Sequence, residues 1–143
     1  AFADVGAACA EPRDQHGGTW IPRHMPAASP RSPRMGHAHS AEVWQEEELA
    51  GGIYGVATGA LSIGASMVSR RNDASKVALV ALCRCQQRWG YGLLDCQVGN
   101  PHLYSMGAIE LERDVFEELL RDLVNEQPGP ARWARDFSPP ARW

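Results

Sequence analysis

The amino-acid sequence predicts an α+β fold, in which helices pack on a mixed, mainly antiparallel sheet. Three observations lead there. Residues 40–64 hold three short strand-like runs broken by polar or glycine turns. Residues 73–89 form one long helical run that stops at Gly90. Further strand-like and helix-like segments then follow up to residue 125, so an antiparallel meander leads into a crossover helix and a closing strand–helix part.

Taken in order, Phe2, Val5 and Cys9 stand at helical spacing and predict a short amphipathic helix over 1–11. Residues 12–36 carry Pro12, Pro22, Pro26, Pro30 and Pro33 with Gly17-Gly18, and four arginines against Asp14. Proline removes backbone donors and is excluded from helix interiors, so 26–34 reads as a solvated linker. Ser40–Gln45 alternates as a strand, Glu46-Glu47-Glu48 is a polar turn, and Gly51–Ala57 and Ala60–Gly64 are the second and third strands, with Gly59 turning the chain. Asn72 or Asp73 is the expected cap of the long helix, whose Val77, Leu79, Val80 and Leu82 are expected to face inward. Leu93–Val98 reads as a buried strand carrying two polar residues, and Asn100-Pro101-His102 as the start of a short helical turn ending at Gly107. Ala108–Leu111 reads as another strand. Asp114 is the expected cap of a last helix running to Asn125, with Phe116, Leu119, Leu120 and Leu123 on one face. Residues 127–143 repeat Ala-Arg-Trp at irregular spacing and read as a loosely attached tail. The expected division is therefore 1–38 as an N-terminal segment and linker, 39–126 as the main folded domain, and 127–143 as the tail.

Composition bounds the function. With 143 residues, 44% hydrophobic and 22% charged, the chain is ordinary globular material rather than a wholly disordered, collagen-like or disulfide-scaffold sequence. It holds no apolar stretch of about 18 residues, so no membrane partner is expected. A net charge of −3 excludes a strongly basic nucleic-acid coat but leaves room for a local basic patch. Cys9, Cys83, Cys85 and Cys96 form no C-x-x-C, and Cys83 and Cys85, two apart on a helix, point to different faces, so reduced cytosolic thiols are the expectation. His37 and His39 share a face of an extended segment, but no third ligand is positioned by sequence, and no metal is expected.

Several blocks in order carry a resemblance: Gly18-Thr19-Trp20-Ile21, His39–Trp44, Gly51–Val56, Ser66–Arg70, Asp73–Lys76, Leu93–Gln97 and Pro101-His102-Leu103. Over roughly residues 1–125 the chain resembles the bacterial leucyl/phenylalanyl-tRNA–protein transferases. The resemblance implies an acetyltransferase-like (GNAT-like) fold, with 39–126 as its catalytic domain and 1–38 as a partial N-terminal segment, and a reaction: leucine or phenylalanine moves from aminoacyl-tRNA to the α-amine of a protein beginning with Arg or Lys, marking it for N-end rule degradation. It implies no cofactor, and a cytoplasmic monomer is expected. Three departures stand out. Family members carry an additional N-terminal domain, so the sequence, starting at Ala1, reads as the rear part of a longer protein. Residues 26–34 are proline-broken where relatives run helical. Ala65 stands where the family has a glutamate near the acceptor's basic residue.

The donor is an activated ester, so an amine attacks it directly and no enzyme nucleophile is needed. The protein's tasks are to orient an amine of pKa about 8 and to place it against the carbonyl. Asp95 and Gln97, two apart on one expected strand, share a face and supply a carboxylate and an amide acceptor. The resemblance gives them those catalytic roles; by spacing alone a solvated strand end fits as well. The resemblance places Trp44 against the terminal adenine of the tRNA, where otherwise it fits a cross-strand aromatic. Met67 is expected to border the pocket for the transferred side chain, or to be plain core. Arg70 and Arg71, with Lys76, surround the start of the long helix and suit a tRNA phosphate, or are a solvated helix start. The absence of a glycine-rich turn there speaks against acetyl-CoA. Two alternatives remain at this point: an inactive truncated remnant, and a CoA-dependent acyltransferase of the same fold.

Overall fold

The computed structural model describes residues 2–11 and 37–129. The proline-rich 12–36, including the Gly18–Ile21 block, and the tail from 130 onward lie outside the described residues. Helix α1 spans Phe2–Cys9; strands β1 (Ala38–Gln45), β2 (Glu48–Thr58) and β3 (Leu61–Ser69) follow. Helix α2 (Ala74–Trp89) then leads to β4 (Leu93–Asp95), the short α3 (Pro101–Ser105) and α4 (Arg113–Leu123). The sheet order is β1-β2-β3-β4, with the first three strands antiparallel and β4 parallel to β3. Helix α2 is the crossover that a parallel pair requires.

Both faces of the sheet are covered, and two glycines permit it. Successive strand residues face opposite ways. A Cβ on Gly51 would fall 2.7 Å from the Ala74 Cβ of α2, and one on Gly52 would fall 2.9 Å from the Val5 side chain of α1. The main core lies on the α2 face, where Ala78, Leu79 and Leu82 meet Ala41, Ile53 and Ala57. On the other face Val5, Ala8 and Cys9 of α1 pack on Leu49, and Leu123 of α4 packs on Ala60 and Leu61. Each of the buried valine, leucine and isoleucine side chains among these contributes roughly 1.5–3 kcal/mol.

Several sequence expectations need correction. The long helix is not capped by Asn72 or by the Asp73 side chain. Asp73 takes φ 62 and pairs instead with Lys76 at 2.6 Å. The free helix donor is met by Ser69, whose Oγ accepts from Ser75 N at 3.3 Å and donates to the Arg71 carbonyl at 2.7 Å. Val77 is exposed, because the buried stripe runs through Ala78, Leu79, Ala81, Leu82, Cys85 and Gln86. Residues 108–111 are not a strand, and Ile109 is 79% exposed. Helix α4 begins at Arg113, so Asp114 lies in its first turn rather than at its cap. The polar turn is narrower than expected: Glu48 already pairs with Gln45, leaving Glu46 and Glu47, both with positive φ, as a two-residue hairpin loop. Strand β3 runs on to Ser69, past an irregularity opposite Tyr54/Gly55 that leaves Ala65 as the extra residue. Gly90, at φ 84, ends α2 as anticipated.

Candidate functional site

Strand β4 is an edge strand, and a groove of about 1260 Å³ opens beside it. Leu79 and Cys83 of α2 form one wall, Phe116 and Leu119 of α4 another, and the segment from Leu103 to Leu111 closes the third side. Asp95 and Gln97 line it. They do not share a strand face, because β4 ends at Asp95 and Gln97 adopts φ 68 beyond it. A turn brings them together instead. Gln97 donates its backbone N–H to Asp95 Oδ1 at 2.7 Å and its Nε2 to Asp95 Oδ2 at 2.9 Å. The carboxylate thus orients the amide, and Gln97 Oε1 is left as the acceptor end of the pair. A carboxylate with remaining lone pairs beside an amide oxygen is suited to hold an incoming amine by its N–H groups.

The thiols in the groove are poor nucleophiles. Burial raises the Cys96 pKa, with the Asp95 charge adding to it, and burial likewise raises that of Cys83, helped by Cys96. Both shifts favour the protonated thiol over the reactive thiolate. On the third side of the groove the Tyr104 hydroxyl donates to Glu110 Oε1, and this bond raises the tyrosine pKa. Neither Tyr104 nor Glu110 was marked out by the sequence. They meet through a loop read as a strand, and no motif signals their meeting.

A second, much smaller space of about 10 Å³ lies between the sheet and α2. Ile53, Leu82 and Leu94 line it together with Ser62 and Gln86. Gln86 Nε2 donates to Ser62 Oγ at 2.7 Å, which satisfies both buried groups. Met67 lines neither space. It pairs across the sheet with Ile53 and packs against the main core beside the small space.

The remaining expected site residues lie at the far end of the sheet. Trp44 is 48% exposed on β1, the other edge strand, and its indole N–H donates to Glu42 Oε2 at 3.1 Å. Arg70 meets Glu11 at 2.5 Å and Arg71 meets Glu48 at 3.2 Å, all on the surface. Trp44 lies opposite Leu49, next to that same Glu48. The register runs from Asp95 through Ile63 and Val56 to Ala38, six residues before Trp44. Trp44 and Asp95 are therefore separated by about 14 Å across the strands and about 20 Å along them. That is farther than one nucleoside reaches. The six residues fall into two groups, Trp44 with Arg70 and Arg71 at one corner and Asp95 with Gln97 at the other, and Met67 lies between.

Sheet, crossover helix and edge groove together define an α+β protein whose cleft presents a carboxylate–amide pair. The chain belongs to a particular family of such proteins: the family described as leucyl/phenylalanyl-tRNA protein transferase matches residues 1–121. Among curated relatives, the leucyl/phenylalanyl-tRNA–protein transferase of Nitrosomonas europaea is 52% identical over 99% of this chain and 60% of its own length. That of Aromatoleum aromaticum is 52% identical over 94% of this chain and 56% of its own. That of Cellvibrio japonicus is 44% identical over 99% and 60%. The chain thus spans somewhat over half the length of these relatives. Among the described residues no helix is long and apolar enough to cross a membrane, and no group of three or more His, Cys, Asp and Glu side chains is arranged to hold a metal, the His37/His39 pair included.

Proposed function

We propose that the chain carries the catalytic part of an aminoacyltransferase. It moves leucine or phenylalanine from aminoacyl-tRNA to the α-amine of a protein beginning with Arg or Lys, as a tag for N-end rule degradation. Family membership supports the reaction class, and the single observation that carries the assignment of the site is the Asp95–Gln97 pair on the wall of an open groove. In the proposed reaction the amine attacks the ester carbonyl, a C–N bond forms, and the C–O bond to the tRNA ribose breaks. The amine's proton ends on the freed ribose hydroxyl. Gln97 Oε1 accepts one amine N–H, and Asp95 fixes that amide and offers a path for the proton.

The apolar side chain of the donor needs a seat close to this pair. The small space beside Leu94 suits it: Ile53, Val56, Ile63, Leu82 and Leu94 line it together with Ser62, Gln86, His39 and Tyr54, and Met67, beside Ile53, is soft enough to move aside. At about 10 Å³ it has to open to admit leucine. Trp44, Arg70 and Arg71 serve the RNA farther back. The indole stacks on a base preceding the terminal adenosine, and the guanidinium groups, held only by surface ion pairs, exchange their carboxylates for phosphates. The antiparallel meander followed by a parallel strand–helix–strand crossover supports the GNAT-like assignment. No cofactor takes part; the site is that of a cytoplasmic monomer, divided as 1–38, 39–126 and 127–143. A CoA-dependent reading is weaker, because the turn before α2, Arg70-Arg71-Asn72-Asp73, has no glycine to wrap a pyrophosphate.

The test is transfer of labelled leucine from Leu-tRNA to an Arg-starting peptide. Asp95→Ala is expected to reduce the rate by about 10²–10⁴ with the fold unchanged. Transfer at the unmutated rate would remove the mechanism.

A further inference from the structure

The groove beside β4 carries more polar chemistry than Asp95 and Gln97. Its second carboxylate is Glu110, in the uncovered segment between α3 and α4. The Tyr104 hydroxyl holds that carboxylate against Gly99. A Cβ at Gly99 would overlap the Tyr104 hydroxyl at 2.0 Å and sit 3.2 Å from Glu110 Oε1, so a glycine is what allows this close approach. Gly99 is two residues beyond Gln97. Even fully extended, the chain from Asp95 to Gly99 spans no more than about 14 Å, and the turn at Gln97 shortens it.

The groove's walls differ in charge. Helix α2 carries Lys76, Arg84 and Arg88 and no carboxylate. Residues 110–122, on the other side, carry six carboxylates against Arg113 and Arg121. Of these charged side chains Arg84, Arg113 and Glu110 line the groove, together with Asp95, so a cationic visitor is drawn to the two carboxylates themselves and not to the groove as a whole.

We infer that the groove is the dock for the acceptor polypeptide, with its α-amine at Asp95–Gln97 and the cationic side chain of its first residue received by Glu110. This rests on the reaction proposed above and assigns within it the group that reads the acceptor. The occupant follows from complementarity: an extended segment whose first residue is positive both at its backbone nitrogen and at its side-chain end matches the two carboxylates that line the groove, Asp95 at the end of β4 and Glu110 on the side closed by Leu103–Leu111. Tyr104 is the positioning residue, since its hydroxyl fixes the Glu110 carboxylate.

The test is binding of two pentapeptides to the whole chain by calorimetry, one starting with Arg and one with norleucine, otherwise identical. The unmutated chain binds the Arg peptide more tightly. Glu110→Gln weakens the Arg peptide about fivefold and leaves the norleucine peptide unchanged. Glu110→Asp retains part of the preference, and Tyr104→Phe loses part of it. Undiminished preference in Glu110→Gln, or equal or undetectable binding of both peptides by the unmutated chain, overturns the inference. Leucine transfer measured on the same samples separates the two proposals. An Arg preference that depends on Glu110, without any transfer, refutes the reaction and not the dock. Transfer that keeps its Arg preference in Glu110→Gln refutes the dock and not the reaction.

Discussion

The C-terminal end of α4 is latched to the turn between β2 and β3, and a single methyl group is expected to spring it. Gly59 occupies that turn at φ 56. Its position is pressed against α4, so that an added Cβ would come within 2.1 Å of the Leu123 carbonyl oxygen and 2.6 Å of the Val124 carbonyl. The same Leu123 oxygen accepts the N–H of the fully buried Ala60 at 2.8 Å. Gly59→Ala therefore carries two costs. Left-handed backbone in a residue with a Cβ costs about 1 kcal/mol. Pushing the Leu123 carbonyl away leaves the Ala60 N–H buried and unpaired, for about 2 kcal/mol more. The control is Gly90→Ala: Gly90 is also left-handed, at φ 84, but an added Cβ there meets nothing within 4 Å. It should cost only the backbone share, about 1 kcal/mol. Urea unfolding of both variants measures the difference, and hydrogen exchange at the Ala60 amide reports the latch itself. Because Phe116 and Leu119 of α4 wall the groove, the released helix should also open the site. If Gly59→Ala is no less stable than Gly90→Ala, the latch does not bear on α4 and the reasoning fails.

Other outcomes follow from the same geometry. Leu61→Ala, at a site with no exposure between sheet and α4, should destabilise by about 2–5 kcal/mol in the same urea measurement. Gln86→Leu removes the donor to buried Ser62 Oγ, whose remaining contact to the Leu93 carbonyl is long at 3.5 Å; a loss of about 1–3 kcal/mol is expected. Trp44→Ala should leave stability nearly unchanged, since the indole is half exposed, while weakening binding of the unacylated tRNA by about 1–3 kcal/mol. Asp73 should titrate below the ordinary carboxylate range, because the Lys76 ammonium hydrogen-bonds it and attracts its charge. A depressed folded-state pKa means that this contribution is present above the ordinary aspartate value and is lost as pH falls through the folded one. In an NMR titration, Lys76→Met should bring the Asp73 midpoint back up.

The elements themselves were legible because local rules govern them. The spacing of Val5 and Cys9 fixes the buried side of α1, and Gly90 ends α2 through its own backbone freedom. Leu123 lies on the apolar stripe that the last helix shows in sequence. Alternation failed where packing overrode it. The run Ala108–Leu111 looks like a strand, but no neighbouring strand pairs with it and Ile109 points to solvent. Asp73 looks like a cap, but its side chain finds Lys76 more readily than the helix end, and Ser69 from the preceding strand supplies the oxygen instead. Asp95 and Gln97 were identified as neighbours for the wrong geometric reason: a turn, not a shared strand face, joins them.

The sequence by itself determined the order and type of most elements, the family, and which side chains carry usable chemistry, because these depend on spacing along one chain. Only the tertiary structure decided how those side chains are distributed. It put Trp44, Arg70 and Arg71 at one corner of the sheet and Asp95 with Gln97 at the other, and it joined Tyr104 to Glu110 on one side of the groove. Strand order, register and bulges set such distances. They arise from which faces bury against one another, which no local pattern of residues records.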